Sequence, residues 1–120
     1  MITLYGIPNC DTVKKARTWL ADQGLEIAFH DFKKQGVPAE LLPTWIEAFG
    51  RDRIVNRAGK TWRKLDDAAK AAVIDDASAV ALMLTEPSVI KRPVVRWADG
   101  RWTLGFSAVM FEKGAEFAPK

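Results

Sequence analysis

Residues 2–16 read ITLYGIPNCDTVKKA, and this stretch decides the fold. Its apolar, β-branched start, bounded by Gly6 and Pro8, predicts a short strand that ends in a loop. Beyond Cys10 the spacing of residues predicts an amphipathic helix. The positions expected on its inner face recur every three or four residues: Val13, Ala16, Arg17 and Leu20. The only cysteine of the chain therefore lies where a strand gives way to a helix.

The remaining segments extend this pattern into an α/β fold. Residues 25–32 read as a second strand, so the first part of the chain is a strand–helix–strand unit with parallel strands. Residues 94–97 and 101–104 flank Asp99-Gly100, which is a strong β-hairpin signal. Ser107 is suited to cap a final short helix.

Residues 38–86 predict a helical insertion within a single domain that spans residues 1–120. Pro43 is expected in the first turn of its first helix, and two further helices are predicted between residues 68 and 85. Residues 51–65 are polar and give no clear assignment. The insertion is too short to hold a core of its own.

The bulk composition narrows the functional classes. The chain has 18 basic and 15 acidic residues, a net charge of +3, and no dense basic run, which argues against a nucleic-acid partner. No apolar stretch approaches the roughly 20 residues of a membrane helix, and Met1 runs into a strand without the basic region of a signal peptide. One cysteine cannot form an internal disulfide, so we expect a cytoplasmic protein. With one histidine, His30, no metal site of cysteine or histidine ligands is expected.

Cys10 has two interpretations. A free cysteine is commonly a small buried hydrophobe. At a helix start, however, unpaired N–H groups and the helix dipole favour the thiolate, which is the nucleophilic form. The polar Asn9 and Thr12 and the cationic Lys14, one turn further on, favour a reactive cysteine. Val13 stands where a Cys-x-x-Cys motif has its second thiol, so a thiol that resolves a disulfide on Cys10 must come from another molecule.

A second motif, VIKRPVV at residues 89–95, places a proline at the start of a predicted core strand. Such a proline removes a ladder donor and suits a tight turn, in some cases with a cis bond. By itself, Arg92 is explained as a surface arginine before a structural proline. In a fold that brings this turn to Cys10, Arg92 would instead be a cation beside the thiol.

Pro-Asn-Cys at residues 8–10, the helical insertion and IKRPVV at residues 90–95 together resemble the ArsC family, over essentially the whole chain. That family includes glutaredoxin-coupled arsenate reductases, Spx transcription regulators and YffB-type proteins, and residues 56–65 and 105–107 are most similar to the YffB branch. The resemblance implies a thioredoxin-like α/β fold, βαβ followed by the insertion and ββα, with a mixed four-stranded sheet. It also implies that Cys10 is the nucleophile, that Arg92 stabilises a thiolate or oxyanion, and that Pro93 is a cis-proline.

The site departs from the arsenate reductases of this family. Those enzymes carry a histidine four residues before the cysteine, an arginine four residues after it, and three arginines that bind the oxyanion. Arg92 matches one of the three. The other positions hold Gly6, Lys14, Asn56 with Arg57 beside it, and Phe106. Replacing arginine with phenylalanine removes a charge-assisted anion clamp, which argues against arsenate as the physiological substrate.

We therefore predict a glutathione-dependent thiol reductase or transferase that forms a mixed disulfide or thiol adduct on Cys10 with a small oxidised substrate. No bound cofactor is expected: glutathione is the co-substrate, and glutaredoxin is a candidate downstream reductant. The predicted glutathione-binding residues are Asn9, Thr12, Lys14, Arg57 and Pro93. Two alternatives stay open: an arsenate reductase with a modified oxyanion site, and a non-enzymatic Spx-like regulator that binds RNA polymerase. Spx proteins generally use a Cys-x-x-Cys switch, which Val13 removes here.

Overall fold

The computed structural model describes residues 1–116. Its strands form one mixed sheet: β1 (Ile2–Gly6), β2 (Ile27–Asp31), β3 (Val94–Arg96) and β4 (Trp102–Leu104). The order across the sheet is β2-β1-β3-β4, with β1 parallel to β2 and antiparallel to β3, and β3 antiparallel to β4. The predicted α/β class and mixed four-stranded sheet are therefore confirmed.

Helices connect and follow these strands. They are α1 (Asp11–Asp22), α2 (Phe32–Gln35), α3 (Leu42–Phe49), α4 (Arg51–Ile54), α5 (Lys60–Lys64), α6 (Asp67–Ala71), α7 (Asp76–Thr85) and α8 (Ala108–Ala115). Short 3₁₀ turns cover Ala39–Leu41 and Pro87–Val89. Within residues 1–116, none of these helices is long and apolar enough to cross a bilayer.

The chain divides into two compact units, one formed by residues 1–35 with 92–116 and the other by residues 36–91. The second unit corresponds to the predicted insertion, and its place within one domain stays a prediction. The first unit holds the sheet and a core in which α1 and α8 pack on one sheet face. The buried members of this core are Ile2, Leu4, Val13, Ala16, Leu20, Val95, Trp97 and Phe111. Arg17, predicted among the inner helix positions, is exposed and lies over the Phe29 ring, 4.3 Å from its centroid.

α8 packs directly against Trp97. The Ser107 side chain accepts a hydrogen bond from the Met110 N–H and caps the helix, as its sequence position predicted. The Phe111 ring meets the buried Trp97 ring edge-on, with 5.0 Å between centroids. Gly114 lies so close to the indole that a Cβ built on it would be 2.2 Å from Trp97 Cε2. The helix therefore contacts the indole through its backbone at Gly114 as well as through the Phe111 side chain.

The second unit is a set of short helices. Pro43 lies in the first turn of α3, as predicted, and Gly50 ends that helix with φ +88°. The unassigned residues 51–65 contain α4 and α5. Between these two helices, Val55 forms an isolated antiparallel bridge with Ile90. This bridge ties the middle of the unit to its end, which local sequence does not reveal.

Candidate active site

Cys10 is the N-cap residue of α1. Its backbone is extended, with φ −140° and ψ 123°, and its carbonyl accepts the first helical hydrogen bond from the Lys14 N–H at 2.9 Å. The side chain is half-buried and packs against the core of the first unit. This position sets the sulfur beside the unpaired N–H groups of the first turn.

The surroundings of the sulfur favour its ionised form. Burial raises the pKa of the Cys10 thiol, but the Val13 N–H, the hydrogen bond and charge of the Arg92 guanidinium, and the Thr12 N–H together lower this pKa below its usual value. No hydrogen bond of full capping geometry joins Sγ to the first turn. The N–H dipoles nevertheless face the sulfur closely enough to stabilise a negative charge on it.

Sheet pairing brings Arg92 to the cysteine across about eighty residues of chain. β3 runs antiparallel to β1, with Tyr5 opposite Val94. Residues just before β3 therefore lie beside residues just after β1, and a Cβ built on Gly6 would be 3.9 Å from the Arg92 Cβ. The Arg92–Pro93 peptide bond is cis, as the resemblance implied. The Pro93 carbonyl accepts the Gly105 N–H at 2.9 Å, which fixes the start of β3 against the end of β4.

The remaining predicted site residues have different surroundings. Asn9 is exposed in the loop before α1, and Thr12 contributes its N–H to the sulfur. The ammonium of Lys14 is not among the causes of the lowered thiol pKa. Lys14 instead lines a shallow groove of about 360 Å³ along α1, together with Lys15, Thr18, Trp19, Asp22 and Phe106. Of these two cations, which the sequence suggested as neighbours of the thiol, Arg92 lowers the thiol pKa and Lys14 does not, and the predicted contact of Lys14 with glutathione stays a prediction.

Arg57 belongs to the second unit. Its guanidinium pairs with Asp52 at 2.8 Å and lies over the Trp62 ring, 5.2 Å from the centroid. Both partners of the ion pair are substantially exposed, so the pair adds little to stability. The predicted role of Arg57 in binding glutathione stays a prediction.

Two positions that separate this chain from arsenate reductases have structural explanations. Phe106 stands at an expected anion-binding arginine, and its ring meets Phe111 edge-on at 4.7 Å as part of the apolar packing of the first unit. Gly6 stands at the expected histidine, at the end of β1 and against Val13. The close packing of Gly6 was not predicted, although a glycine inside a strand is a known signal of close backbone approach.

His30 and its neighbours form an aromatic cluster in the same unit. The His30 ring lies 5.1 Å from the Tyr5 ring and 6.1 Å from the Phe32 ring, measured between centroids. The histidine is half-buried on β2. These ring contacts give His30 a structural role in the packing of the first unit.

Sheet topology, a cis-proline before β3 and a cysteine of lowered pKa at the start of α1 define a thioredoxin-like α/β protein with a single-thiol site. The family model described as the ArsC family matches residues 5–113, and the chain belongs to this family.

Several solved and curated proteins are similar to this chain. The structure of a YffB protein is 46% identical, with a TM-score of 0.88 over 95% of this chain and 98% of that one. A solution structure of an arsenate reductase (ArsC) related protein from Brucella melitensis is also 46% identical, with a TM-score of 0.72 over 93% of this chain and 92% of that one. The global transcriptional regulator Spx of Streptococcus pyogenes is 26% identical over 109 residues, which are 89% of this chain and 79% of Spx. The family therefore contains proteins named for arsenate reductase and proteins named for regulation.

Proposed function

We propose that this protein is a glutathione-dependent thiol reductase or transferase with Cys10 as its nucleophile. The observation that carries the proposal is the lowered pKa of the Cys10 thiol, which the Val13 and Thr12 N–H groups and the Arg92 guanidinium cause against the opposing effect of burial. A lowered pKa increases the thiolate fraction at neutral pH, and the thiolate is the attacking form. Structural cysteines in apolar surroundings have the opposite shift.

The chemistry needs a thiol from outside the chain, because Cys10 is its only cysteine. The Cys10 thiolate attacks one sulfur of a disulfide substrate, forms a Cys10–S–S–R mixed disulfide and releases the other half as a thiolate, which takes a proton from solvent. Glutathione thiolate then attacks the mixed disulfide. When R is glutathione, this second step releases glutathione disulfide and regenerates the Cys10 thiolate, so one glutathione thiol is consumed for each substrate thiol released.

Residues of the first unit are suited to hold the glutathione moiety. The Arg92 guanidinium stabilises the thiolate in the resting state and is released to pair with a carboxylate once Cys10 becomes a neutral disulfide. Asn9, Thr12, Lys14 and the backbone at Pro93 are the proposed remaining contacts. Glutaredoxin is the proposed protein reductant where glutathione alone is slow.

Mass spectrometry after incubation with oxidised glutathione tests the proposal. We expect a single adduct of one glutathione on Cys10, removed by reduced glutathione and absent in Cys10→Ser. Denatured wild-type protein at the same pH is the matched control, because it retains the thiol but loses the Val13 and Arg92 contacts. Modification of the native protein that is no faster than that of the denatured chain would overturn the proposal.

The comparisons favour two other functions enough to test them. Relatives named as arsenate reductase related motivate an arsenate assay with glutathione and glutaredoxin. We expect no turnover, because Phe106 takes part in apolar packing where an anion-binding arginine is expected.

The similarity to Spx motivates a binding assay with RNA polymerase. We expect no retention on immobilised polymerase, because Val13 removes the second thiol of a redox switch. Polymerase binding that depends on the redox state of Cys10, without thiol transfer, would support the regulator instead.

A further inference from the structure

Gly6 occupies a position where glycine is not demanded by the backbone. Among residues 1–116, the glycines with positive φ are Gly24, Gly36, Gly50, Gly100 and Gly105. Gly6 is the last residue of β1 and has none of that left-handed geometry. Alanine would therefore fit its backbone conformation without strain, so the glycine needs another explanation.

The space beside Gly6 supplies that explanation. A Cβ built on Gly6 would lie 2.9 Å from Val13 Cγ2 and 3.7 Å from Cγ1, where ordinary contact begins at 3.4 Å. Val13 is fully buried, and its β-branched side chain has one strongly preferred rotamer in a helix. The side chain cannot turn away cheaply, so an added methyl group would push β1 and the first turn of α1 apart.

The first turn of α1 is also the part of the chain that faces the sulfur. The hydrogen bond from the Val13 N–H is the largest single interaction that lowers the pKa of the Cys10 thiol. Interactions between N–H groups and their acceptors weaken steeply with distance and misalignment. The residue that limits how closely Val13 approaches β1 therefore also limits how its N–H meets the thiolate.

We infer that Gly6 is a positioning residue for the Cys10 thiolate: by lacking a side chain, it lets Val13 seat the first turn of α1 against the end of β1, beside Arg92. This inference deepens the proposed function and rests on it, since both concern the same thiolate. The contact also leaves no room for a side-chain proton donor at position 6. A thiolate released from the substrate must accordingly be protonated from elsewhere, which favours disulfides whose leaving thiols have low pKa.

The test follows the rate of Cys10 alkylation by iodoacetamide from pH 4 to pH 10. We expect Gly6→Ala to alkylate about tenfold more slowly than wild type at pH 6 and to reach a plateau at high pH that is no lower than that of wild type, because its thiolate fraction falls at low pH while the fully formed thiolate stays reactive. Val13→Ala keeps the N–H and empties the space that a methyl group at position 6 would need. The Gly6→Ala/Val13→Ala double variant is therefore expected to return to the Val13→Ala profile.

Gly24→Ala is the matched control. Gly24 has φ +70° with no atom within 4 Å of its built Cβ, so alanine there strains the backbone at the far end of α1 without touching the site. It is expected to lower stability and leave the alkylation profile unchanged. A folded Gly6→Ala protein with the wild-type profile, a double variant that stays slow, or an equal change in Gly24→Ala would each overturn the inference.

Should Gly6→Ala fail to fold, Gly6→Ser in the Val13→Ala background returns one heavy atom to the emptied space. It is expected to alkylate more slowly than Gly6→Ala/Val13→Ala, and equal profiles would overturn the inference.

The wild-type profile separates this inference from the proposed function. Half-maximal alkylation at or above the free-thiol value of about pH 8.5 refutes the activated thiolate itself. A low wild-type value with no effect of Gly6→Ala refutes only the role of Gly6.

Discussion

Replacing Arg92 with glutamine should weaken the nucleophile without removing it. The guanidinium gives the Cys10 thiolate both a hydrogen bond and a positive charge, and both lower the thiol pKa. Glutamine removes the charge, and its shorter side chain also weakens the hydrogen bond. The N–H groups of Val13 and Thr12 remain in place, so part of the stabilisation survives.

The size of the effect follows from the exposure of the site. A hydrogen bond to a charged group contributes about 1.5–3 kcal/mol when it is shielded from water. Cys10 is only half-buried, and solvent screening reduces such a contribution to about 1 kcal/mol. That free energy corresponds to about a fivefold smaller thiolate fraction at a pH well below the thiol pKa. Arg92→Lys keeps the charge but loses the planar fork, and should fall between wild type and Arg92→Gln.

The assay is the pH dependence of iodoacetamide alkylation, together with the rate of mixed-disulfide formation with oxidised glutathione. Arg96→Gln is the matched control, because it removes the same charge four residues further along the chain, at an exposed position at the end of β3. We expect both rates to fall about fivefold at pH 6 in Arg92→Gln and to stay at the wild-type level in Arg96→Gln. Equal behaviour of the two variants would refute a direct Arg92–thiolate interaction.

Three further predictions concern charge, packing and pH. Lys14→Gln should change the alkylation rate by less than about twofold, because its ammonium is not among the groups that lower the thiol pKa, and surface charges are screened by salt. Gly114→Ala should lower the free energy of unfolding in urea by about 3 kcal/mol, because its Cβ would fall 2.2 Å from Trp97 Cε2. The folded-state pKa of Cys10 is lowered, so its ionisation stabilises the fold: this contribution is fully present above the free-thiol pKa and is lost as pH falls through the folded-state pKa. The unfolding free energy of wild type minus that of Cys10→Ser should therefore be larger at pH 9 than at pH 5.

Each of these three predictions has a result that would contradict it. A loss of rate in Lys14→Gln as large as in Arg92→Gln would restore Lys14 as an activating group. Alanine normally stabilises a helix relative to glycine, so a more stable Gly114→Ala protein would contradict the close packing of α8 on Trp97. A difference between wild type and Cys10→Ser that is independent of pH would contradict the lowered pKa.

The fold was predictable where local sequence carries the signal. A short apolar, β-branched run bounded by Gly6 and Pro8 identifies β1, and helical periodicity identifies α1. The Asp99-Gly100 pair identifies the hairpin of β3 and β4. Residues 51–65 were not assigned because α4 and α5 are only one turn long each. They have too few positions for a period to appear, and the Val55–Ile90 bridge that accompanies them is made by residues far apart in sequence.

The site was predictable to the extent that its groups are neighbours in sequence. The N–H groups that face Cys10 follow from a cysteine at a helix start. The contact of Arg92 with Cys10 depends on antiparallel pairing of β1 with β3, which the residues alone left open. The role of Gly6 depends on how closely β1 and α1 approach, which local sequence does not fix. Lys14 is close to Cys10 in sequence, only one helical turn away, yet its charge does not lower the thiol pKa.

Arg101 makes the turn between β3 and β4 unusually intolerant of inserted residues. Its guanidinium pairs with Asp99 across the turn and donates to the Lys113 and Gly114 carbonyls at the end of α8, at 3.1 and 3.4 Å. A hairpin tip is ordinarily where a chain accepts added residues during evolution or engineering. Here the turn length sets the reach of an arginine that satisfies helix-end carbonyls, so an insertion at Gly100 would uncap α8. Tags and inserted peptides are better placed elsewhere than in this turn.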